Sequence, residues 1–302
     1  MRESYQVSHE PQAPRIAVLV LAHAYPTLLD RLITRLSEDF DVYLHLDSAS
    51  TIKISEFDWH HKVSLVRSRR TYWGSFQCTR AILDLLSAAY QKGYDRYVLI
   101  SGQDVPLVSN SEIQSFFALN LDVDFIESLP LPSPVLQGGI ERITRVYWHA
   151  PYRHQGIRRT FYNLVEYALE IGYRTMLQPK LIVGQFYWGQ TWFSLKASTV
   201  SAIFAYMEQH PEFLRLFTGS RLGEELFLQT LVRRVQPAPT LGPRTTTFDD
   251  WATGPEKPRV LDHTDYTKLT KLPQLFARKV HPEKSKDLIE RLYAETKIKR
   301  AT

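Results

Sequence analysis

The first 128 residues alternate between short apolar runs and longer segments in which apolar side chains recur every three or four positions. Strands are predicted for five of the runs: Arg15–Ala22, Asp41–Leu46, Lys62–Val66, Tyr97–Ser101 and Val123–Ile126. The first and the fourth of these are predicted to be buried. Helices are predicted after Pro26, between Ser75 and Gly93, and from Asn110 onwards. Strands and helices in alternation predict an α/β protein with a mostly parallel central sheet flanked by helices.

Polar side chains and a glycine follow three of the predicted strands. His23 follows the first strand, Asp47 the second, and Gly102 with Asp104 the fourth. Right-handed crossovers place the loops after parallel strands at one edge of the sheet, where open α/β proteins bind their ligands. We therefore expect these four residues to line a binding site.

The pattern is less regular after residue 128. Leu129–Gly139 holds several prolines and glycines and predicts a loop, whereas Phe186–Leu195 predicts a strand or a hairpin. Pro237–Asp262 is rich in proline and threonine and predicts a long loop across the site. A final amphipathic helix is predicted over Lys284–Thr296.

Composition narrows the class of protein. Basic residues exceed acidic ones by 37 to 32, a mild surplus that fits solvated surface, an anionic substrate or a membrane surface. The single cysteine, Cys78, excludes an intrachain disulfide and favours a reducing compartment. No segment reaches the roughly 20 apolar residues of a membrane span. We expect a flexible tail over residues 1–14 and one domain over residues 15–302, in a cytoplasmic protein whose peripheral contact with the inner face of the membrane is left open.

Two charged groups in the second half offer chemistry. Glu224 and Glu225 begin a predicted helix, where acids either favour the helix dipole or supply a general base. Arg259, Arg278 and Lys279 are either surface charges or a cluster that neutralises phosphate, since arginine bonds phosphate oxygens bidentately and lysine adds a compact charge.

Asp104 bears on metal binding. Many nucleotide-sugar enzymes place two acids, spaced Asp-x-Asp, after this strand to hold a divalent metal, but this chain has Asp104 alone. Asp122 and Asp124 have that spacing, yet they precede a strand instead of following one, so we assign them a structural role. We expect neither a metal nor another cofactor.

Several sequence blocks occur in the order found in one known family. The blocks are Ala17–His23, Tyr43–Asp47, Trp73–Ser75, Tyr97–Pro106, Gly189–Ser194, Glu224–Thr230, Asp250–Trp251, Lys257–Arg259 and Phe276–Lys279. Together they resemble the core-2/I-branching β-1,6-N-acetylglucosaminyltransferase family, which also contains the peptide O-xylosyltransferases. The resemblance runs from about residue 15 to residue 282. One residue departs from the pattern: Glu224 stands where the family has aspartate, which leaves its role open.

The resemblance implies a GT-A-type fold and an inverting, metal-independent transfer of N-acetylglucosamine or xylose from a UDP-sugar to a hydroxyl group. The acceptor is expected to be a glycan or a lipid-linked glycan in cell-surface polysaccharide synthesis. Residues 15–128 would form the nucleotide-sugar half, and residues 129–302 the acceptor and phosphate-binding half. Glu225 matches the family's catalytic base, and Arg259 and Lys279 match its phosphate-binding residues. Donor contacts are further expected from His23, Asp47, Gly102 and Asp104, and acceptor contacts from Glu141, Arg145, Trp192 and Trp251.

Two alternatives remain at this point. Xylosyl transfer and N-acetylglucosaminyl transfer are not separated by the sequence. A non-enzymatic, basic polysaccharide-binding or nucleic-acid-binding protein is the other alternative, although the basic residues are scattered and form no stripe interleaved with aromatics. The oligomeric state is open.

Overall fold

The computed structural model describes residues 13–72, 74–145, 147, 160–161, 164–165, 168, 184–236, 241–242, 245–255 and 257–298. Of the predicted features, Trp73, nearly all of the N-terminal tail and part of the proline-rich loop lie outside the described residues.

The strands are β1 (Ile16–Ala22), β2 (Asp41–Leu46), β3 (Ser64–Leu65), β4 (Arg96–Ser101), β5 (Val105–Pro106), β6 (Phe125–Ile126), β7 (Leu129–Pro130), β8 (Tyr187–Trp188), β9 (Phe193–Lys196), β10 (Thr247–Asp249) and β11 (Phe276–Arg278). The helices are α1 (Pro26–Leu36), α2 (Phe76–Tyr90), α3 (Asn110–Leu119), α4 (Glu141–Thr144), α5 (Ala197–Gln209), α6 (Pro211–Phe217), α7 (Phe227–Val235), α8 (Tyr266–Leu269) and α9 (Lys286–Ile298). Short 3₁₀ turns cover Ile54–Glu56, Asp58–His61, Gly223–Glu225 and His263–Asp265.

The central sheet has the strand order β3-β2-β1-β4-β9-β6. Its first four strands are parallel, and β9 runs antiparallel to both β4 and β6. Helices cover both faces, so side chains on both sides of β1 are buried: Leu19 packs in one apolar cluster and Val20 in the other, each with 0% exposure. The predicted α/β class and the mostly parallel sheet flanked by helices are confirmed.

A second sheet, in the order β10-β11-β5, joins distant parts of the chain. Strand β11 pairs parallel to β10 and antiparallel to β5, which follows β4 by only a few residues. This pairing carries the end of β11 to the polar edge of the central sheet. The sequence predicts a loop for the proline-rich segment, but this segment contributes strand β10. Thr247–Asp249 forms this strand because it pairs with the largely buried strand β11.

Two element predictions need correction. Glu224 and Glu225 do not begin an α-helix: they lie in a 3₁₀ turn, and α7 begins at Phe227 after Leu226 breaks the helical geometry with φ −129°. The sequence pattern predicts no helix between β9 and Gly223, yet α5 and α6 fill most of that segment. Helix α5 begins at Ala197, directly after the last residue of β9, so no turn residue in the sequence marks where the helix starts.

Candidate active site

The polar edge of the central sheet brings together the residues that follow its parallel strands. The backbone N–H of Asp47 donates to the carbonyl of Ala22 over 2.9 Å, and that of Gly102 donates to Leu21 over 2.9 Å. His23, Asp47, Gly102 and Asp104 therefore lie at one edge, as the right-handed crossovers require. We call these four residues the strand-end edge.

Asp47 is a fixed anion in a tight turn. Its carboxylate accepts the backbone N–H of Ala49 and of Thr71, each over 2.7 Å, and also the hydroxyl of Thr71. Burial raises the pKa of Asp47, but the hydrogen bonds from Thr71 and Ala49 outweigh it and hold that pKa below its usual value. The carboxylate thus carries its charge under all ordinary conditions and orders the loop between β3 and α2.

Gly102 serves packing in this structure. A Cβ at this position would come within 3.1 Å of the Ala22 Cβ and 3.4 Å of Leu29. Glycine suits this position because the chain, as it leaves β4, passes directly against β1 and α1 and leaves little room for a side chain.

Asp104 is buried at the end of β4 and is held by a cation. The Nε of Arg278, from the end of β11, donates to its Oδ1 over 3.2 Å, and the Ser101 hydroxyl donates to the same oxygen. Its Oδ2 has no hydrogen-bond partner in the part of the chain that the structure describes. Burial raises the pKa of Asp104 to about 6, with Arg278 opposing the rise.

The guanidinium carbon of Arg278 lies 4.2 Å from the ring centroid of Trp192. Trp192 is 8% exposed, so this predicted acceptor residue acts chiefly as the surface on which Arg278 stacks. Arg278 is also paired in register with Asp249 of β10. The sequence singles out Arg278 as a candidate, but neither its ion pair with Asp104 nor its stacking is evident from spacing, since 174 residues separate the two charges.

Lys279 and Arg259 have different surroundings. Burial lowers the pKa of His23, Asp47 opposes this, and the charges of Lys279 and Arg278 lower it further, so both cations lie near His23. Arg259 instead donates from Nε to Asp250 over 3.3 Å and to Thr253 over 2.9 Å.

The 3₁₀ turn Gly223–Glu225 forms a second group of charges. It is introduced by Leu222 with φ 55°, whose backbone N–H donates to the carbonyl of Gly74 over 3.0 Å. A Cβ on Gly223 would approach Phe76 to 2.8 Å, so only glycine allows the turn to pack this closely on α2.

Glu225 is the partly accessible member of this turn. Its side chain is 26% exposed, and its Oε2 accepts Nη1 of Arg142, in α4, over 2.9 Å. Burial raises the pKa of Glu225, Arg142 opposes the rise, and the charges of Glu127 and Asp249 add to it. The outcome is a carboxylate held in place by one cation and favoured as a proton acceptor.

Glu224 is buried and has a different environment. Its Oε2 finds no hydrogen-bond partner among the described residues. Burial raises the pKa of Glu224 to about 8, and the neighbouring Glu225 charge adds to the rise. At neutral pH this side chain is therefore mostly protonated, and the full charge in the turn belongs to Glu225.

The segment at Gly189 and Gln190 joins the two groups of charges. Gln190 donates from its backbone N–H to Glu127 over 2.9 Å and from its side-chain amide to Asp249 over 2.6 Å. The backbone N–H of Gly189 donates to the carbonyl of Glu225 over 3.0 Å. A Cβ on Gly189 would lie 2.1 Å from the Glu127 carbonyl oxygen, so this close approach requires glycine. We call Gly223–Glu225 with Glu127 and Asp249 the acidic turn; the contacts run from it through Asp249 and Arg278 to Asp104.

The remaining predicted acceptor residues lie around the acidic turn. Glu141 and Arg145 flank Arg142, in α4 and at its end respectively. Trp251 is 49% exposed, and its indole N–H donates to Asp249 over 2.9 Å. Sequence reasoning misses Arg142, Glu127 and Gln190, because each gains its role from a contact with a residue far along the chain.

The expected structural role of the Asp122–Asp124 pair agrees with the contacts of Asp124. It is fully buried and accepts the backbone N–H of Lys196 over 2.8 Å and the hydroxyl of Thr199 over 2.5 Å. Within the described ranges, no group of three or more His, Cys, Asp or Glu side chains is arranged to hold a metal ion. None of the helices described here is long and apolar enough to cross a membrane.

Comparison with known proteins gives one extensive match. The family model for the core-2/I-branching enzyme matches residues 16–272. A search of curated proteins gives no match.

Solved structures are more distant. A glycosyltransferase, GlyE, from Streptococcus pneumoniae is 11% identical with a TM-score of 0.39, and the alignment covers 94% of this chain and 60% of that protein. A mannose-1-phosphate geranyltransferase from Thermus thermophilus is 14% identical with a TM-score of 0.34, covering 73% and 68%. A putative glucose-1-phosphate thymidylyltransferase from Bacillus anthracis is 11% identical with a TM-score of 0.30, covering 63% and 74%. Similarity at this level supports no conclusion about activity.

Proposed function

Because the chain belongs to the core-2/I-branching enzyme family, a family of glycosyltransferases, we propose that it is an inverting, metal-independent glycosyltransferase. It moves N-acetylglucosamine or xylose from a UDP-sugar to a hydroxyl group of a glycan acceptor. The observation that carries the proposal is the pair of Glu225 and Arg142: a partly exposed carboxylate, 2.9 Å from a guanidinium nitrogen, in a turn that Gln190 and Asp249 connect to the strand-end edge.

Glu225 is the catalytic base of this reaction. An acceptor hydroxyl gives its proton to the Glu225 carboxylate while its oxygen bonds to the anomeric carbon from the face opposite the nucleotide. The bond between that carbon and the diphosphate oxygen breaks, and UDP leaves with the bonding electrons. Burial favours Glu225 as the acceptor of the proton, and Arg142 keeps it ionised beforehand.

The donor binds at the strand-end edge. The side chain of Asp104 is fully buried, so we propose that it supports donor binding by holding the Arg278 guanidinium in place. Asp47 and His23 lie beside it, and Lys279 supplies positive charge for the leaving diphosphate. The proposal of metal independence is supported by the pairing of Asp104 with Arg278, because an acid already neutralised by a cation is a poor ligand for a second one.

The acceptor lies over the acidic turn, where Trp251 presents an exposed ring on which a sugar can stack. Glu141 and Arg145 lie within three residues of Arg142 along the chain and are proposed to hydrogen-bond the acceptor. We further propose that the acceptor is a lipid-linked or surface glycan and that the protein works at the inner face of the membrane in polysaccharide synthesis.

The test is a UDP-release assay with UDP-N-acetylglucosamine and UDP-xylose, each with and without EDTA, in the presence of a panel of glycan acceptors. We expect release with one of the two donors, unchanged by EDTA. A product whose anomeric configuration, read by NMR, is opposite to that of the donor supports inversion. Retention of configuration contradicts the single displacement, and loss of release with EDTA contradicts metal independence. Heparin binding without any UDP binding favours a non-enzymatic role.

A further inference from the structure

His45 is a buried histidine on β2 that the proposed mechanism does not use. It is 1% exposed, and its Nε2 accepts the backbone N–H of Arg69 over 3.0 Å. Since a backbone N–H can only donate, Nε2 is the unprotonated nitrogen, and the neutral ring carries its proton on Nδ1. The imidazole therefore does the work of a backbone carbonyl, as the acceptor for an N–H of the loop between β3 and α2.

The surroundings of His45 favour this neutral ring. Burial lowers the pKa of His45, the carboxylates of Asp47 and Asp84 and a backbone hydrogen bond at His45 itself oppose this, and the charge of Arg69 adds to the lowering. The pKa of His45 stays below its ordinary value, so at neutral pH the lone pair of Nε2 is available to the Arg69 N–H.

Arg69 is held at three points, and His45 supplies one of them. The carbonyl of Arg69 accepts the backbone N–H of Ser48 over 3.1 Å. Its guanidinium pairs with Asp84 of α2: Nη2 donates to Oδ1 over 3.0 Å, and Nε donates to Oδ2. The N–H, the carbonyl and the side chain of this one residue are thus fixed to β2, to the turn after β2 and to α2.

The position of Arg69 bears on Asp47 through Thr71, two residues further along the loop. Thr71 gives the Asp47 carboxylate its backbone N–H over 2.7 Å and also its hydroxyl. The N–H of Ala49, which Asp47 also accepts, belongs to the turn of Asp47 itself. The contact between Asp47 and the loop therefore depends on Thr71, whose place follows from that of Arg69.

The other residues of this loop are exposed, which gives the buried contact with His45 more weight. Arg67, Ser68 and Arg70 all face solvent. The Ser68 hydroxyl donates to the carbonyl of Leu46 over 2.6 Å, but water can replace a bond at an exposed site. Loss of the acceptor on His45 would leave the Arg69 N–H without this partner and release the loop from β2.

We propose that His45 is a positioning residue for donor binding: its Nε2 holds the Arg69 backbone, so that Thr71 keeps the Asp47 carboxylate in the orientation that meets the donor. Because His45 is buried, it acts through these residues and does not touch the donor. This inference rests on the proposed function, since it presumes that the donor binds beside Asp47.

The experiment measures UDP binding by calorimetry in the parent protein and in two neutral variants that do not titrate. His45→Gln places a carbonyl oxygen about where Nε2 lies, so we expect the Kd for UDP to stay within about twofold of the parent. His45→Asn is equally polar, but its shorter side chain does not reach the Arg69 N–H; we expect the Kd for UDP to rise by about three- to tenfold, as for the loss of one hydrogen bond. The acceptor KM should stay at the parental value in both.

Tyr43→Phe is the control for stability. Tyr43 lies two residues before His45 on β2, so both side chains lie on the same face of the sheet. Tyr43 is 4% exposed, and its hydroxyl forms a hydrogen bond with that of Tyr94 over 3.0 Å. Removal of this bond should lower the melting temperature and leave the Kd for UDP unchanged.

Other outcomes overturn the inference. An equal loss of UDP affinity in His45→Gln and His45→Asn contradicts the role of Nε2 as the acceptor. A parental Kd in His45→Asn, with a lower melting temperature, reduces His45 to a structural residue. If His45→Asn does not fold, Thr71→Val takes its place, because it removes the hydroxyl that Thr71 gives to Asp47, and UDP binding at parental affinity by that protein contradicts the proposal.

A parent protein that binds no UDP contradicts the donor class itself. Nitrogen-15 NMR of the histidine-labelled parent separates that failure from a failure of the inference, because it needs no donor. We expect the His45 ring to be protonated at Nδ1 and unprotonated at Nε2, and the reverse assignment contradicts the contact with Arg69.

Discussion

The strand-end edge and the acidic turn both present carboxylates, but they supply them with different numbers of hydrogen-bond donors. Asp47 receives two backbone N–H groups and one hydroxyl, and its pKa is lowered despite burial. Glu225 receives one guanidinium, and the Oε2 of Glu224 receives no donor from the described residues; burial raises the pKa of both. The same functional group is therefore a permanent charge at one end of the site and a proton acceptor at the other.

Asp104 stands between these two cases. It is as buried as Glu224, but Arg278 forms an ion pair with it, whereas the charge of Glu225 raises the pKa of Glu224 by more than the charge of Arg142 lowers it. The pKa of Asp104 therefore reaches about 6, and that of Glu224 about 8. In the proposed reaction the strand-end edge would orient the donor, and the acidic turn would accept the proton.

The largest effect is expected at Glu225. The Glu225→Gln protein keeps the shape of the side chain but cannot accept a proton, so we expect kcat to fall by about 10²–10⁴. The affinity for UDP, measured by calorimetry, should stay at the parental value. Turnover close to that of the parent would show that Glu225 does not accept the proton, and the proposed difference in role between the acidic turn and the strand-end edge would be wrong.

Glu224 should make stability depend on pH. Its raised pKa, about 8, means that the folded protein binds a proton that the unfolded chain has lost between its ordinary pKa and about pH 8. Stability contributed by this group is therefore present at low pH and decreases as pH rises through that window, by on the order of 2–5 kcal/mol. Urea unfolding at pH 5 and pH 8 should show a smaller decrease for Glu224→Gln than for the parent. Glu283 is exposed, so Glu283→Gln is the matched control and should behave as the parent. An equal decrease in stability in all three proteins would contradict the claim that Glu224 is protonated in the folded state.

Arg142 should set the pH at which the base becomes active. Removing its charge in Arg142→Met leaves burial and the neighbouring acids unopposed, so the pKa of Glu225 rises further. The ionised form is the active one, and the acidic limb of the kcat profile should move to higher pH by about one unit, with roughly tenfold lower kcat below that limb. Arg142→Lys should restore most of the parental profile. A profile that keeps its position while kcat falls would assign Arg142 to acceptor binding alone.

The smallest effect is expected at Trp251. Loss of an exposed stacking surface in Trp251→Ala should raise the acceptor KM by about two- to tenfold and leave the donor KM unchanged. Trp251→Phe, which keeps a ring, should lie nearer the parent. An increase confined to the donor KM would move this side chain to the strand-end edge.

The sequence predicts the strand-end edge better than it predicts the rest of the fold and the acidic turn. Strands β1 and β4 and the loops that follow them are predictable because each strand is a mostly apolar run, and crossover handedness then places the loops. Strand β9 reaches its antiparallel position between β4 and β6 only through pairing across about 70 to 100 residues of chain, which local periodicity does not encode. The second sheet is non-local in the same way.

The acidic turn is recognisable as a motif, but its environment is not. Glu225 stands out beside Glu224, whereas its partner Arg142 is 83 residues away and has no signal of its own. Arg259 illustrates the reverse case: a block resemblance selects it, and ion pairs to Asp250 and Asp265 that no spacing reveals engage its guanidinium. Motifs locate side chains, and long-range partners decide what they can do.

The most direct test of Glu225 as the base replaces the acceptor by azide, a nucleophile that carries no proton to remove. In Glu225→Ala we predict that transfer to a hydroxyl acceptor is lost, while azide forms a glycosyl azide of inverted configuration from the same UDP-sugar at a rate comparable to that of the parent with azide. Equal loss of both reactions, with UDP still bound, would show that Glu225 acts by placing substrates and not by accepting a proton.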